Sequence, residues 1–369
     1  MSRLGLFLPR LSAYGGAEGF ALRLAAALAG DGHGVDFVCG RQEAEPPAGV
    51  NVRLVGRPLL PRAAKIAWYA AQAERVRRKE KYDLTISLGK TLRQDLLRMS
   101  GGPLDVFWRL SGRAYNAGLA RTWKTARRRV APANALIRAI EQRTLDNSRV
   151  IVAVSHRVRD WLLEAHPWLE SRDIRIIYNR PDLARFTPPS PDAREAARAA
   201  WGLDSGQVAL VLAGTNFALK GVDQMVRALA LLPRDYVLLV AGGRKPGRFA
   251  ARADKLGLGQ RVRFLGRVED MPSLYAASDL FVLPTFYDTC SNATLEALAA
   301  GLKVVTSRDN GASHFLPERW IIEDPADVAH LAETVACAAA EPPPPPFAWP
   351  DDAPCGLEPY LALVREMLG

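Results

Sequence analysis

The sequence predicts an α/β protein made of two doubly wound domains, and three observations lead there. Short apolar, β-prone runs alternate with longer amphipathic runs, which is the pattern of parallel strands joined by helices. The alternation stops at a Pro-rich stretch after residue 180 and then restarts. At 369 residues, 49% of them hydrophobic, the chain is long enough and apolar enough to bury two cores.

The elements follow in order. "LGLFLP" (4–9) reads as a strand, and "GAEGFALRLAAALAGDG" as a helix with apolar residues at Leu22, Ala25, Ala26 and Leu28, closed by glycines. "VDFVC" (35–39), "DLTISL" (83–88), "VIVAVS" (150–155) and "DIRIIY" (173–178) continue the strand series. Residues 180–203 read as a linker with a short helix. Strands then fall at 208–214, 236–243, 262–266, 279–285 and 302–307, with helices at 221–232, 249–258, 271–278 and 292–301 between them. "EPPPPPFAWPDDAP" (341–354) cannot be helical and reads as an extended crossing. The expected domains are 1–180 and 186–340, facing a cleft, with an amphipathic helix at 356–369 packing back on the first.

Composition excludes several classes. The cysteines at 39, 290, 337 and 355 show no CxxC spacing, and the five histidines show no H-x-x-x-H pattern, so neither a zinc site nor a disulfide framework is indicated. No apolar run reaches the roughly 18–20 residues needed to span a bilayer. The first residues are too briefly apolar for a signal peptide, so a cytoplasmic location is expected. The formal charge is +10, with basic clusters at 57–81 and 121–129. Such a surface favours anionic partners, although a plain solvated helix face is an equal alternative. "TARRRVAPANALIRAI" mixes Arg with apolar residues and fits a membrane-surface helix. No nucleic-acid-binding signature is present, so nucleic acid is not an expected partner.

The stretch "FYDTCSNATLEALAAGLKVV" (286–305) carries two acids, Asp288 before a helix and Glu296 one turn inside it. Ser291 or Asn292 is the expected N-cap, leaving backbone N–H groups around Asn292 and Ala293 to receive a phosphate. The two carboxylates could grip hydroxyls on either side of it; the plain alternative is a loop Asp and a solvated helical Glu. "AGTNFALKGVD" puts Lys220 at a strand-to-helix turn, where it could meet a diphosphate, and "YGGAEG" puts Gly15 and Gly16 where backbone can approach a ligand.

Taken together these residues resemble the retaining glycosyltransferases of group 1 (family four), which have the GT-B fold. The early "GGAE", "YNRPDLARFTP" (178–188), "KGVD", "VRFLGRVEDMPSLYAASDLFVLPT" and "EALAAGLKVV" fall in that family's order and spacing over nearly the whole chain. "GASHFL" (311–316) and the stretch around 232–258 are most like the glucosyltransferases of lipopolysaccharide core assembly. The resemblance implies that Glu296 holds the ribose of a nucleotide sugar, Asp288 the transferred sugar and Lys220 the diphosphate. Asp288 is a methylene shorter than the Glu common at that position. Thr215 stands where the family usually has an Arg, so the resemblance implies that another cation, Arg180 or Arg113, assists. Gly16 matches the glycine that approaches the ligand, Arg267 and Val268 match the segment that meets the base, and Asp95 is the candidate acidic group near the acceptor.

The implied activity is metal-independent transfer from a nucleotide-diphosphate sugar of the UDP-glucose kind to a lipid-linked or glycan acceptor such as lipopolysaccharide core. No cofactor or metal is expected, since no D-x-D motif lies in a suitable loop and the acids at 351–352 sit in the Pro-rich segment. Lys220 and the helix N-terminus would stabilise the leaving diphosphate. The expected place is the inner face of the cytoplasmic membrane, bound peripherally to an anionic surface. The alternatives are a nucleotide-sugar epimerase of the same fold and a non-catalytic membrane-associated scaffold.

Overall fold

A computed structural model describes residues 1–13, 15–115, 126–127, 131–243 and 246–369. It separates into two compact units. The first comprises Met1–Arg109, Gly118–Asn179 and Asp351–Gly369; the second comprises Leu110–Ala117 and Arg180–Pro350. Most of the basic cluster at 121–129 lies outside the described residues.

Described elements of the first unit run β1 (Arg3–Phe7), α1 (Gly16–Gly30), β2 (Gly34–Cys39), β3 (Val50–Leu54), α2 (Arg62–Glu80), β4 (Leu84–Ser87), β5 (Gln94–Met99), α3 (Leu104–Arg113, whose residues from Leu110 on, Arg113 included, group with the second unit), α4 (Pro132–Asp146), β6 (Ser148–Ala153), α5 (His156–Ala165) and β7 (Asp173–Ile176). The strands form a parallel sheet in the order β3-β2-β1-β4-β5-β6-β7. The order reverses between β1 and β4, which is the place where open α/β sheets bind ligands. Two strands, β3 and β5, were not expected. "VNVRL" and "QDLLRM" carry Asn, Arg, Gln and Asp where a strand covered on both faces is normally a continuous apolar run.

β5 is nonetheless in the core. Arg98 is only 2% exposed: its Nε donates to Tyr360 Oη (2.9 Å), one Nη to Asn179 Oδ1 (2.6 Å), and the guanidinium lies over the Phe20 ring at 3.9 Å. A buried guanidinium is tolerated when its donors are met in this way. Tyr360 belongs to the C-terminal helix (Glu358–Leu368), which buries Tyr360, Leu361, Leu363, Val364 and Met367 in the same core as Leu4, Phe20 and Ile86.

In the second unit the described elements are α6 (Pro191–Ala200), β8 (Val208–Ala213), α7 (Val222–Leu229), β9 (Tyr236–Ala241), α8 (Arg248–Lys255), β10 (Val262–Gly266), α9 (Met271–Ala277), β11 (Leu280–Leu283), α10 (Asn292–Ala299), β12 (Lys303–Ser307), β13 (Ile321–Ile322) and α11 (Val328–Ala340). The C-terminal helix of the first unit is α12 in this series. The sheet is parallel, in the order β10-β9-β8-β11-β12-β13. β8, β9 and β11 are buried almost throughout, as their unbroken Val/Leu/Ala/Phe runs require. Pro-rich residues after α11 stay with this unit as far as Pro350, where Phe347 and Trp349 pack edge-on against Phe315 with ring centroids 5.6 and 5.1 Å away.

Candidate active site

In the second unit the strand order reverses between β8 and β11, and the loops after these strands and after β12 converge there. After β8 the chain turns through Gly214 and Thr215 to Lys220, and Gly221 starts α7 with φ +73°. That left-handed angle favours glycine, and a Cβ on Gly221 would also collide with the Pro284 carbonyl. The turn is therefore pressed against the loop after β11. Phe286 N–H donates to Leu219 O (2.9 Å), and the Thr285 hydroxyl reaches the same oxygen (3.0 Å).

Across this junction Lys220 Nζ forms a close ion pair with Asp288 Oδ2, both side chains being largely buried. The backbone of Asp288 is pinned on each side: its N–H donates to Asp309 O (2.9 Å) and its carbonyl accepts from Gly311 N–H (2.9 Å). α10 then begins with Ser291 as N-cap, whose Oγ accepts from Thr294 N–H (3.3 Å), so of the two expected caps Ser291 fills the position and Asn292 is the first helical residue. Ala293, at the second helical position, has a backbone donor with no acceptor inside its own helix.

A residue that the sequence reading passed over holds this arrangement together. Asn310 is fully buried, and its Oδ1 accepts from Ser291 N–H (3.2 Å) and Ala312 N–H (3.1 Å). Its Nδ2 donates to Thr294 Oγ1 and Thr306 Oγ1, both at 3.0 Å. Both the oxygen and the amide nitrogen are used, tying the start of α10 to the end of β12. Its only local signal is the turn pair Asn310–Gly311 after a strand.

Glu296 sits one turn into α10 and is half-buried. Burial pushes its carboxyl up to about 7, while a hydrogen bond from Tyr275 Oη (3.4 Å to Oε2) and the charge of Arg185 act in the other direction. Beside these loops lies an open cavity of ≈ 910 Å³ lined by Gly214, Thr215, Gly242, Gly243, Arg267 and Val268, among others. Gly214 packs on Lys220, whose Cγ would be 2.7 Å from a Cβ placed there. Lys220, Asp288, Glu296, Ser291, Asn292, Ala293, Thr215, Arg267 and Val268 thus all belong to the carboxyl edge of one sheet. Of the two substitute cations, Arg113 is engaged by Asp309 (3.2 Å) and Asp324 (2.8 Å), and Arg180 is exposed.

Gly15 and Gly16 belong to the first unit. Gly15 caps α1 at φ +110°, at the carboxyl edge of that sheet. Asp95 is a correction. It is the second residue of β5, at the amino edge of the sheet, and accepts from Thr85 N–H (2.8 Å) and Thr85 Oγ1 (2.6 Å). Ligands of such sheets meet the carboxyl ends, so Asp95 is a strand-pairing residue and is withdrawn as an acceptor-side acid.

Comparison with known proteins agrees with this geometry. The family described as "Glycosyltransferase Family 4" matches residues 14–185, and "Glycosyl transferases group 1" matches residues 207–340. The lipopolysaccharide glucosyltransferase WaaG of Escherichia coli is 32% identical over 176 residues, 46% of this chain and 47% of that protein. A D-inositol 3-phosphate glycosyltransferase of Mycobacterium sp. (strain KMS) is 34% identical over 184 residues, 47% of this chain and 41% of that protein. The aligned part thus spans about half the length of these relatives. Among solved structures, WaaG superposes with a TM-score of 0.76 at 23% identity, covering 92% of this chain and 90% of that one. HepE of Anabaena, solved with UDP and glucose, gives 0.67 at 17% identity over 92% and 90%. With one glycosyltransferase family matched along the first sheet and another along the second, this chain belongs to the group 1 glycosyltransferases and has their GT-B fold.

Proposed function

We propose that this protein is a metal-independent, retaining glycosyltransferase that moves a sugar from a nucleotide-diphosphate donor, UDP-glucose in kind, to a cell-envelope glycan such as lipopolysaccharide core. The observation that carries the reading is the Lys220–Asp288 pair at the strand-order reversal, with Glu296 on the adjoining helix and a glycine-walled cavity alongside. Names of relatives support the substrates: one is a lipopolysaccharide glucosyltransferase, and one structure holds UDP and glucose.

Each group then has a task. The Glu296 carboxylate accepts hydrogen bonds from the ribose hydroxyls. The base lies in the cavity beside Arg267 and Val268. Lys220 and the first turn of α10 meet the diphosphate, and Asp288 accepts from hydroxyls of the sugar while orienting Lys220. An acceptor hydroxyl attacks C1 of the sugar as the C1–O bond to the diphosphate breaks. Its proton passes to the departing phosphate oxygen on the same face, so the anomeric configuration is retained. Charge developing on the diphosphate is met by donors already in place, and such electrostatic preorganisation usually contributes more to rate than any other single effect.

Among the described residues no helix is long and apolar enough to cross a membrane. The basic face of residues 57–81 supports peripheral attachment to the anionic inner leaflet, each Lys or Arg near it contributing about 1 kcal/mol. The test is turnover of UDP-, GDP- and ADP-glucose with and without an envelope-glycan extract, in excess EDTA, with the product anomer read by NMR. Transfer with retention in EDTA is expected. Conversion of donor without acceptor would mark an epimerase, and no turnover of any donor would sink the reading.

A further inference from the structure

We propose that Arg113 is a positioning residue for Asp288: through the carboxylate of Asp309 it holds the loop that fixes the Asp288 backbone. This rests on the glycosyltransferase reading above. Arg113 ends α3, where the negative end of the helix dipole favours a cation. It groups with the second unit, as do its partners, so these contacts lie within that unit. One terminal nitrogen of the guanidinium donates to Asp309 Oδ2 (3.2 Å) and the other to Asp324 Oδ1 (2.8 Å), 196 and 211 residues further along the chain. The two acids differ. The Asp309 side chain is 5% exposed and that of Asp324 52%. An exposed ion pair contributes little. A carboxylate enclosed as Asp309 is costs a great deal unless a cation and hydrogen bonds meet it. Asp309 is therefore the partner whose place depends on Arg113.

Asp309 follows the end of β12 and precedes Asn310, and the Asp288 backbone rests on this loop. Asp309 O accepts the Asp288 N–H (2.9 Å) and Gly311 N–H donates to Asp288 O (2.9 Å), so residues 309–311 take both backbone polar groups of Asp288. The loop has two side-chain anchors. The Asn310 amide ties it to the start of α10, through Ser291 N–H and Thr294 Oγ1. The Asp309 carboxylate ties it to the end of α3. Asp288 in turn carries the ion pair with Lys220. A shift of the loop backbone reaches that pair through two hydrogen bonds, and a misplacement of about 1 Å can cost on the order of a hundredfold in rate. The same geometry argues against Arg113 as a cation for the diphosphate. Both ends of its fork are met by carboxylates, whose charge offsets its own.

The test compares Arg113→Gln, Asp309→Asn and the double variant in the full chain, by UDP-glucose turnover, calorimetric titration with UDP and amide hydrogen exchange. Arg113→Gln should lower kcat at least about tenfold and speed exchange at the Asp288 and Gly311 amides by a similar factor, while UDP affinity changes less than about twofold. Asp309→Asn should lower kcat as well. The double variant should lose no more than the worse single variant, because the two side chains act as one unit and no buried charge is left unpaired. Arg113→Lys keeps the charge without the planar fork and should recover part of the loss. Unchanged UDP affinity shows that the second unit is folded in the variants; a merely structural role would lower it together with kcat, and that result overturns the proposal. Weaker UDP binding in Arg113→Gln, with Asp309→Asn unaffected, would make Arg113 a ligand of the diphosphate and overturns it too. So does unaltered kcat and exchange in either single variant. If the wild type turns over no UDP-glucose, the transferase reading fails instead, and the exchange arm alone decides whether Arg113 holds the Asp288 loop.

Discussion

The two sheets share one strand order through their first six strands, yet their carboxyl edges are furnished in opposite ways. In the second unit the edge is a paired, interlocked site: Lys220 with Asp288, Asn310 bonded to four partners, and glycines where backbones press together. In the first unit it is a shell of six cations, Arg10, Arg41, Arg57, Arg62, Lys65 and Lys90, of which Arg10 and Arg41 are paired with Glu18 and Glu43. The fold positions both edges, but the loops decide the chemistry. A tightly held edge suits a step in which charge must be met without reorganisation. A cationic edge suits capture of an anion, where the total charge matters more than the geometry.

The sharpest way to break this comparison is Lys220→Ala. Removing the preorganised cation should lower kcat by roughly 10²–10³-fold, about 2–4 kcal/mol of transition-state stabilisation, measured by steady-state turnover of the donor. A loss below tenfold would mean that the ion pair serves only to hold two loops together.

Asn310→Ala tests the interlocking itself. It leaves the Ser291 and Ala312 N–H groups and the Thr294 hydroxyl without the bonds they make to this side chain in a buried place, which should destabilise the protein by about 2–3 kcal/mol in chemical denaturation. Nucleotide affinity should fall with it, because the start of α10 loses its anchor.

Glu296 sharpens the comparison through pH. Its folded value is about 7, raised from 4.5, and only the carboxylate accepts from both ribose hydroxyls. Nucleotide affinity should therefore rise about tenfold between pH 6 and pH 8, and Glu296→Gln should flatten that profile. Stability runs the other way. The folded state holds this proton more tightly than the unfolded chain, so the cost of burying the charge is absent below pH 4.5 and fully present above about 7. Glu296→Gln should accordingly raise Tm at pH 8 and leave it unchanged at pH 4.5.

The smallest effect belongs to the amino edge of the first sheet. Asp95→Asn should change turnover by less than about twofold, because its oxygen serves the Thr85 backbone and hydroxyl rather than a ligand. A large loss of kcat there would return that end of the sheet to the site.

How much was legible differs between the units. β8, β9, β11 and β12 are short unbroken apolar runs bounded by Gly, Pro or Asp, and they fall within a few residues of the ranges read from the sequence. Asp288 and Glu296 were legible because one local fact, a helix starting between them, sets their places. β5 was not, since its polar residues have partners far along the chain. Asp95 was misplaced for a related reason: composition marks a segment as ordered without saying which end of a strand faces a ligand.

The sequence by itself determined the alternation of strands and helices, the restart after residue 180, and the cap and acids around α10. Each of these depends on residues within about a turn or two of one another, where periodicity and capping act. Tertiary structure alone decided that Arg98 is buried under Tyr360, 262 residues away, that Asn310 ties α10 to β12, and that six cations from five separate segments share one pocket. Those outcomes depend on which strands become neighbours. The energy of a buried polar group is set by the partners that neighbourhood supplies rather than by the residues beside it in the chain.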